Sequence, residues 1–485
     1  MRQLPLRKLF LLPLASLGAV LFLSGFGGNT PAIGRSGLNH PVIYVSAPAY
    51  EPLAFLSGNE RFPKGAQIFL YDRASDKPQQ LVTGFFSAAD PALSFDAQSL
   101  LFAGKTTPTD PWRIYEMNLA SRQVRAVFPV EQEEKTTDLV RPLYLPYGRL
   151  VYARHTAHGF ALESAQLNGT GITPLSAAPG NLLPLDVLAD GRILFASNYP
   201  LGTDGPAELY LVYSDGSGVE SYRCDHPGKR GEPDAEKDAS SAAGRWGGHQ
   251  LEDGDILFTH GQSLARFSSP YAAEKTVPSP ALNYADGPIE IDEGLWLASA
   301  KASAAPKDAL FELNGMTAKK LLADASNNLV EPVLLAPRTN VPHSHPSALH
   351  TGWQYGNFLA LDVRTTRDAP LGGEPALVKM QTPGPGGKVV DLGSAPIEGD
   401  GSFFVQTTGN RPVRFLIEDK NGRTLRAERG WMWIAKGEQR ICVGCHAGPE
   451  RASENKVPAV LLRTTTPADL NYKSAPQNST GTGEN

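Results

Sequence analysis

Cysteine, net basic charge and long apolar segments are what this chain has least of. Three cysteines among 485 residues cannot staple a disulfide framework, so any cysteine chemistry must be local. Lys+Arg 45 against Asp+Glu 50 leaves a net charge of -5, which argues against a nucleic-acid partner, because that needs a basic footprint. Charged residues are 20 % and aromatics 8 %, while Gly 48 and Pro 40 are abundant. That balance disfavours long helices and coiled coils and favours many short strands joined by turns. Neither a Gly-x-Ser-x-Gly elbow nor a His-Glu-x-x-His pair occurs, so the sequence carries no hydrolase signature. The length exceeds one compact core and predicts about two domains.

The first segment reads as an export signal. Arg2, Arg7 and Lys8 are positive, Leu9 to Phe26 is apolar apart from Pro13, and small residues run from Ser24 through Gly28. Residues 1–28 are expected to be a signal peptide or, if retained, an N-terminal anchor, since the run approaches the ~18 residues that span a bilayer. No cysteine lies near its end, which excludes a lipoprotein anchor. Nothing later is long and apolar enough to span a membrane. The body of the protein is therefore expected in the periplasm, with membrane contact only through this segment.

From residue 40 to 335 a unit recurs. A turn such as Asp190-Gly191 or Asp253-Gly254 precedes a short apolar strand, and a more polar strand follows. The apolar copies, read as the leading strands, are Ile43-Tyr44-Val45, Leu100-Leu101-Phe102, Leu150-Val151-Tyr152, Ile193-Leu194-Phe195, Ile256-Leu257-Phe258 and Leu295-Trp296-Leu297. Gln67 to Tyr71, Ile114 to Leu119, Glu208 to Tyr213 and Leu310 to Leu313 are following strands. Spacings of about 40 to 60 residues suit propeller blades with inserted loops. The predicted fold is all-β: a six-bladed β-propeller followed by a small β-rich domain, with a β-sandwich array or solenoid as the alternative. The repeat resembles the Tol-type periplasmic propeller unit; no Trp-Asp dipeptide ends the blades. Asp225 to Arg245, rich in charge and small residues, is expected to be a solvated loop.

Residues 336–462 form the second predicted domain. Pro337, Pro342 and Pro346 punctuate its leading linker, which also holds His343, His345 and His350. Val413, Phe415 and Ile417 alternate towards the turn Asn421-Gly422, and a return strand runs from Thr424 towards Trp431 and Trp433. Residues 463–485 are poor in apolar side chains and are expected to be a disordered tail.

The chemistry lies in Cys442-Val443-Gly444-Cys445-His446, a C-x-x-C-H sequence. Thiols three apart on a tight turn suit thioether attachment of one haem c, with the adjacent histidine on iron. A structural zinc site needs four ligands, and no second C-x-x-C occurs. A thioredoxin-like pair belongs at the strand-to-helix turn of a βαβ unit, and this motif follows a hairpin instead. His446 supplies one axial ligand. Methionine is scarce, and Met432 reads as core. His345 and His350 are the tentative second ligands, with the bland alternative that they are loop histidines. Cys224 and His226, a C-x-H pair, are further candidates for the haem or for an additional metal ion.

The flanks of the motif carry a resemblance. Pro396-Ile397-Glu398-Gly399-Asp400-Gly401-Ser402-Phe403, Asn410-Arg411-Pro412-Val413-Arg414-Phe415, Gly437-Glu438-Gln439-Arg440 and Glu454-Asn455-Lys456-Val457-Pro458 resemble the middle domain of hydrazine synthase alpha-subunit-related proteins. The resemblance implies a propeller ahead of this domain and a c-type haem at the domain junction. In the name-giving enzyme a tyrosine soon after the motif holds iron and frees the motif histidine for zinc. Here Glu450 occupies that neighbourhood and the next tyrosine is Tyr472, so His446 is expected on iron and hydrazine synthesis is not carried across. Two functions follow as expectations. One is a mono-haem redox protein that exchanges electrons with a cytochrome-like partner or, as a haem-dependent oxidoreductase, acts on small nitrogen compounds. The other is a propeller-based binding or scaffold module whose haem is structural or sensory.

Overall fold

Apolar residues two apart, punctuated by glycine and proline, make strands that bury both faces only when sheets stack on one another. In the computed structural model, residues 37–75, 77–129, 137–198, 201–202, 205–222, 244–270, 272–366, 370–428, 430–445 and 456–471 are described. The leader of residues 1–28, the pair Cys224 and His226, His446, residues 225–243 of the expected loop and residues 472–485 of the expected tail lie outside them.

Six antiparallel sheets make the blades. Blade one contains Asn328–Leu334, Val42–Ala47, Gln67–Tyr71 and Gln79–Gln80, so the last propeller strand closes the ring beside the first. Blade two is Ser87–Leu93, Ser99–Lys105, Arg113–Asn118 and Val124–Ala126, and blade three is Leu139–Leu145, Arg149–Thr156, Gly159–Gln166 and Thr173–Pro174. Blade four is Leu183–Val187, Ile193–Asn198, Ala207–Val212 and Glu220–Ser221, and blade five is Arg245–Gln250, Ile256–His260, Ser263–Phe267 and Lys275–Val277. In blade six, Asn283–Tyr284 and Ile289–Asp292 both pair with Leu295–Lys301, and Ala309–Asn314 and Thr317–Leu322 complete the sheet.

The apolar copies read as leading strands are the second strand of each blade. Each pairs with an inner strand, which precedes it in the chain in blades two to six and is the closing strand Asn328–Leu334 in blade one. The pairing is interrupted: register shifts fall at Ala89/Ala92, Val140/Leu143, Pro184/Asp186, Trp246/His249 and Glu290/Asp292, and opposite Ile43/Val45 in blade one. Asp90, Arg141 and Glu331, each followed by proline, have φ of 58, 55 and 50° at these bulges. A bulge with a left-handed residue turns the strand and re-aims its side chain, here onto the propeller axis.

The second domain packs two sheets face to face. One has the order Gln439–Cys442, Tyr355–Ala360, Phe403–Thr408, Ala468–Asp469. The other has the order Val389–Pro396, Leu377–Pro383, Arg411–Glu418, Thr424–Ala427, and Met432–Ile434 also pairs with Arg411–Glu418. Phe358, Val378, Met380, Phe403, Val413 and Ile417 fill the space between them. Residues 464–471 are not a disordered tail. Ala468–Asp469 pairs in parallel with Val405 and Gln406, Leu470 is buried in the core, and Asn471 Oδ1 accepts from the Thr408 amide at 2.7 Å. One buried leucine and one well-placed amide anchor a segment whose composition reads as polar.

Candidate functional site

Cys442 ends an edge strand that runs parallel to Tyr355–Ala360, with Cys442 opposite Ala360. The Leu361 amide donates to the Cys442 carbonyl at 2.9 Å, and the chain then turns through Val443 and Gly444 to Cys445. A Cβ on Gly444 would run into the Thr365 carbonyl oxygen, so only glycine lets the turn settle on the 362–365 loop. That loop is itself held. Val363 N donates to the Gly401 carbonyl at 3.0 Å, and Thr365 N donates to the Asp362 carbonyl at 3.1 Å. Asp400 Oδ1 accepts from the Ser402 amide and hydroxyl at 3.0 and 2.6 Å. Asp400 Oδ2 and Ser402 Oγ accept from Ala459 N and Val460 N at 2.7 and 3.1 Å, which pins the short helix Ala459–Arg463 beside the same segment. The Asp-Gly-Ser-Phe sequence is thus the brace of the thiol turn.

Gly-Glu-x-Arg is the link to the propeller. Glu438 is buried; its Oε1 accepts from Gly218 N of blade four at 3.1 Å and from Arg440 Nη2 at 2.7 Å. Arg440 Nη1 donates to the Val219 carbonyl at 3.3 Å. Trp433 is 1 % exposed, packs among Leu175, Phe195 and Tyr210 of blades three and four, and donates from Nε1 to the Gly216 carbonyl at 2.9 Å. Trp431 N donates to the Leu201 carbonyl at 2.9 Å. Both tryptophans therefore anchor the second domain to the propeller. Met432, between them, packs on the cores of both domains.

Cys442 and Cys445 are unbridged and half-buried, and Cys445 packs on the core of the second domain. Burial pushes the Cys442 thiol up; Arg440 opposes this, and Glu428, Glu220 and Glu438 add to it. The thiol is therefore held protonated at neutral pH. Glu220 belongs to the outer strand of blade four, so the turn lies within electrostatic reach of the seam.

The linker histidines are exposed and separate. The His345 ring stacks on Tyr213 with centroids 4.0 Å apart, and the Arg192 guanidinium lies 5.9 Å from the Tyr213 ring and 3.4 Å from Glu220. His345 is thus on the Glu220 side of the seam. His350 donates its amide to the Gly437 carbonyl at 3.0 Å and stacks on Trp353, at the other end of the strand ladder from Cys442. Among the described residues no group of three or more His, Cys, Asp or Glu side chains could hold a metal ion.

The inner strands build a polar ring that the sequence reading missed. Arg61 pairs with Asp90 and, at 2.5 Å, with Glu331, and Arg141 Nη1 donates to Glu331 Oε1 at 2.8 Å. Asp286 accepts from Tyr50 at 2.8 Å and from Trp246 Nε1 at 2.6 Å. Burial raises the carboxyl groups of Asp286 and Glu331 against the pull of the arginines. The pairs Asp90-Pro91, Arg141-Pro142, Gly247-Gly248, Asp286-Gly287 and Glu331-Pro332, in or beside five of the inner strands, are the signal that marks these positions.

Residues 387–447 match the family model described as the hydrazine synthase alpha subunit middle domain. Hydrazine synthase of Kuenenia stuttgartiensis has the same fold over most of this chain, with a TM-score of 0.71 and 15 % identity over 87 % of this chain and 71 % of that one. TolB from Acinetobacter baumannii also matches, with a TM-score of 0.42 and 15 % identity over 61 % of this chain and 67 % of that one. No curated protein sequence matches significantly. Residues 387–447 thus carry a match to the hydrazine synthase alpha middle-domain family, set behind a six-bladed propeller in a chain that has the fold of hydrazine synthase over most of its length.

Proposed function

We propose that the protein is an exported redox protein carrying one covalent haem c on the thiol turn. The observation that carries this reading is the sequence Cys442-Val443-Gly444-Cys445-His446 within a stretch matching the hydrazine synthase alpha middle domain. The residues fit the group. Two unbridged thiols flank a glycine whose close packing on Thr365 keeps the turn tight, and Ile441 beside them is 65 % exposed, an apolar side chain free to be covered. Cys442 and Cys445 would hold the haem through thioether bonds, and His446 would ligate iron. Bound there, the haem supplies one-electron exchange, so multi-electron chemistry on small nitrogen compounds requires a partner redox protein. Glu438, Arg440 and Trp433 keep the turn fixed against blade four, which makes the propeller part of the haem's setting. Of the tentative second ligands among the described residues, His345 is the better supported, because it stands on the Glu220 side of the seam.

The test is expression with a c-type maturation system in a periplasm. We expect a Soret band that survives acid–acetone extraction in the wild type and is lost in the Cys442→Ala/Cys445→Ala variant. A wild-type protein without extraction-resistant haem overturns the reading. Carbon monoxide binding indicates an open sixth position and small-ligand chemistry. A six-coordinate spectrum that turns five-coordinate in His345→Ala assigns that ligand and favours electron relay. A six-coordinate haem inert to carbon monoxide and to partner reductants favours the scaffold module.

A further inference from the structure

Arg141, Asp286 and Glu331 of the polar ring line a chamber on the propeller axis, with a cavity volume of about 470 Å³. That size is in the range of small-molecule sites. The linker after the closing strand crosses its mouth. Arg338 N donates to the Phe95 carbonyl at 2.9 Å, Arg338 Nη1 lies 3.3 Å from Asp186, and the Thr339 hydroxyl donates to Glu252 at 3.0 Å. The apolar part of the wall comes from Leu143, Leu185, Leu251, Ile289 and Val333.

Two groups on this wall are incompletely satisfied: the Asp286 charge and the Nε of Arg141. Asp286, 3 % exposed, is bonded only to the neutral donors Tyr50 and Trp246, and among the described residues no cation lies within ion-pair distance of it. Arg141, 8 % exposed, uses Nη1 for Glu331 and Asp90, while its Nε has no partner. The Arg141 guanidinium lies 5.9 Å from the Trp246 ring, the same ring that donates to Asp286, so the two charges are neighbours. His249 also lines the chamber, and burial holds it neutral, with a pKa lowered to about 4. A lone cation entering would meet Arg141, and a lone anion would meet Asp286 and Glu331. A ligand that carries both charges close together offers an ammonium to Asp286 and an acceptor to the unpartnered Nε of Arg141.

We propose that the axial chamber binds a small zwitterion of the α-amino acid class, its ammonium on Asp286, its carboxylate on Arg141 and its side chain against the apolar wall. This site is independent of the thiol turn. The purified full chain is tested by thermal shift and calorimetry against the twenty amino acids, then against the decarboxylated amine and the deaminated acid of the best binder. For leucine these are isoamylamine and isocaproate. We expect at least one amino acid to bind, both single-charge analogues to bind about tenfold or more weakly, and Asp286→Asn to weaken binding by a similar factor. No response to any amino acid at about 10 mM overturns the proposal. An amine or acid that binds as tightly as its parent also overturns it. The analogue series uses the unchanged chain, so the test stands even where Asp286→Asn does not fold.

Discussion

At Gly444 a single missing Cβ decides whether the two thiols share a tight turn, because the Thr365 carbonyl and the 362–365 loop occupy the space a side chain would need. Gly444→Ala is expected to destabilise the second domain by about 1–3 kcal/mol, read as a lower urea midpoint, and to reduce covalent haem yield. His249 makes a separate residue-scale prediction. Its pKa falls from 6.5 to about 4, chiefly through burial, with Asp186 opposing and Arg141 and Arg338 adding to the fall. Between those values the unfolded chain binds a proton that the folded chain does not, so stability rises with pH across this window and is lost on acidification through it. The loss is on the order of 2–3 kcal/mol by pH 4, and unfolding curves of His249→Gln should show a flatter pH dependence. The thiol spacing is plain in the sequence. The packing of Gly444 is not, because Thr365 lies far from it along the chain.

Single elements show why the propeller could be read and its axis could not. The second strand of each blade is a continuous apolar run between turn residues, which a sequence displays directly. The inner strand is broken by a bulge, so its period fails, and Asp90, Arg141 and Glu331 look like ordinary surface charges until the ring closes. Those charges tie the inner strands of blades one, two and three together, Arg61 joining Asp90 to Glu331 and Arg141 joining both to blade three. Arg61→Met leaves buried Asp90 and Glu331 to share Arg141 alone and should cost about 3–5 kcal/mol in equilibrium unfolding. The strand Ala468–Asp469 carries the same lesson in the second domain. Ending the chain after Arg463 removes that strand, buried Leu470 and the Asn471 bonds to Thr407 and Thr408. It should lower stability by about 2–5 kcal/mol, seen as rapid amide exchange in Phe403–Thr408.

For the whole molecule, the consequential surface is the seam between blade four and the second domain. Trp433 fills a pocket of the propeller, and Glu438 and Arg440 bond to its Gly218 and Val219. Trp433→Ala is expected to cost about 3–5 kcal/mol of docking and to split a single calorimetric unfolding transition into two, with a larger radius of gyration in solution scattering. Strand periodicity, turn residues and the spacing of Cys442 and Cys445 are local properties, and local order along the chain was enough to specify blades, hairpin and thiol pair. Long-range packing was needed for everything that depends on residues distant in the chain. It made the two tryptophans interdomain anchors, turned a polar-looking tail into a strand, parted His345 from His350, and gathered scattered charges into a buried chamber. The physical reason is that a side chain's burial and charge state are set by neighbours that only ring closure and domain docking bring to it.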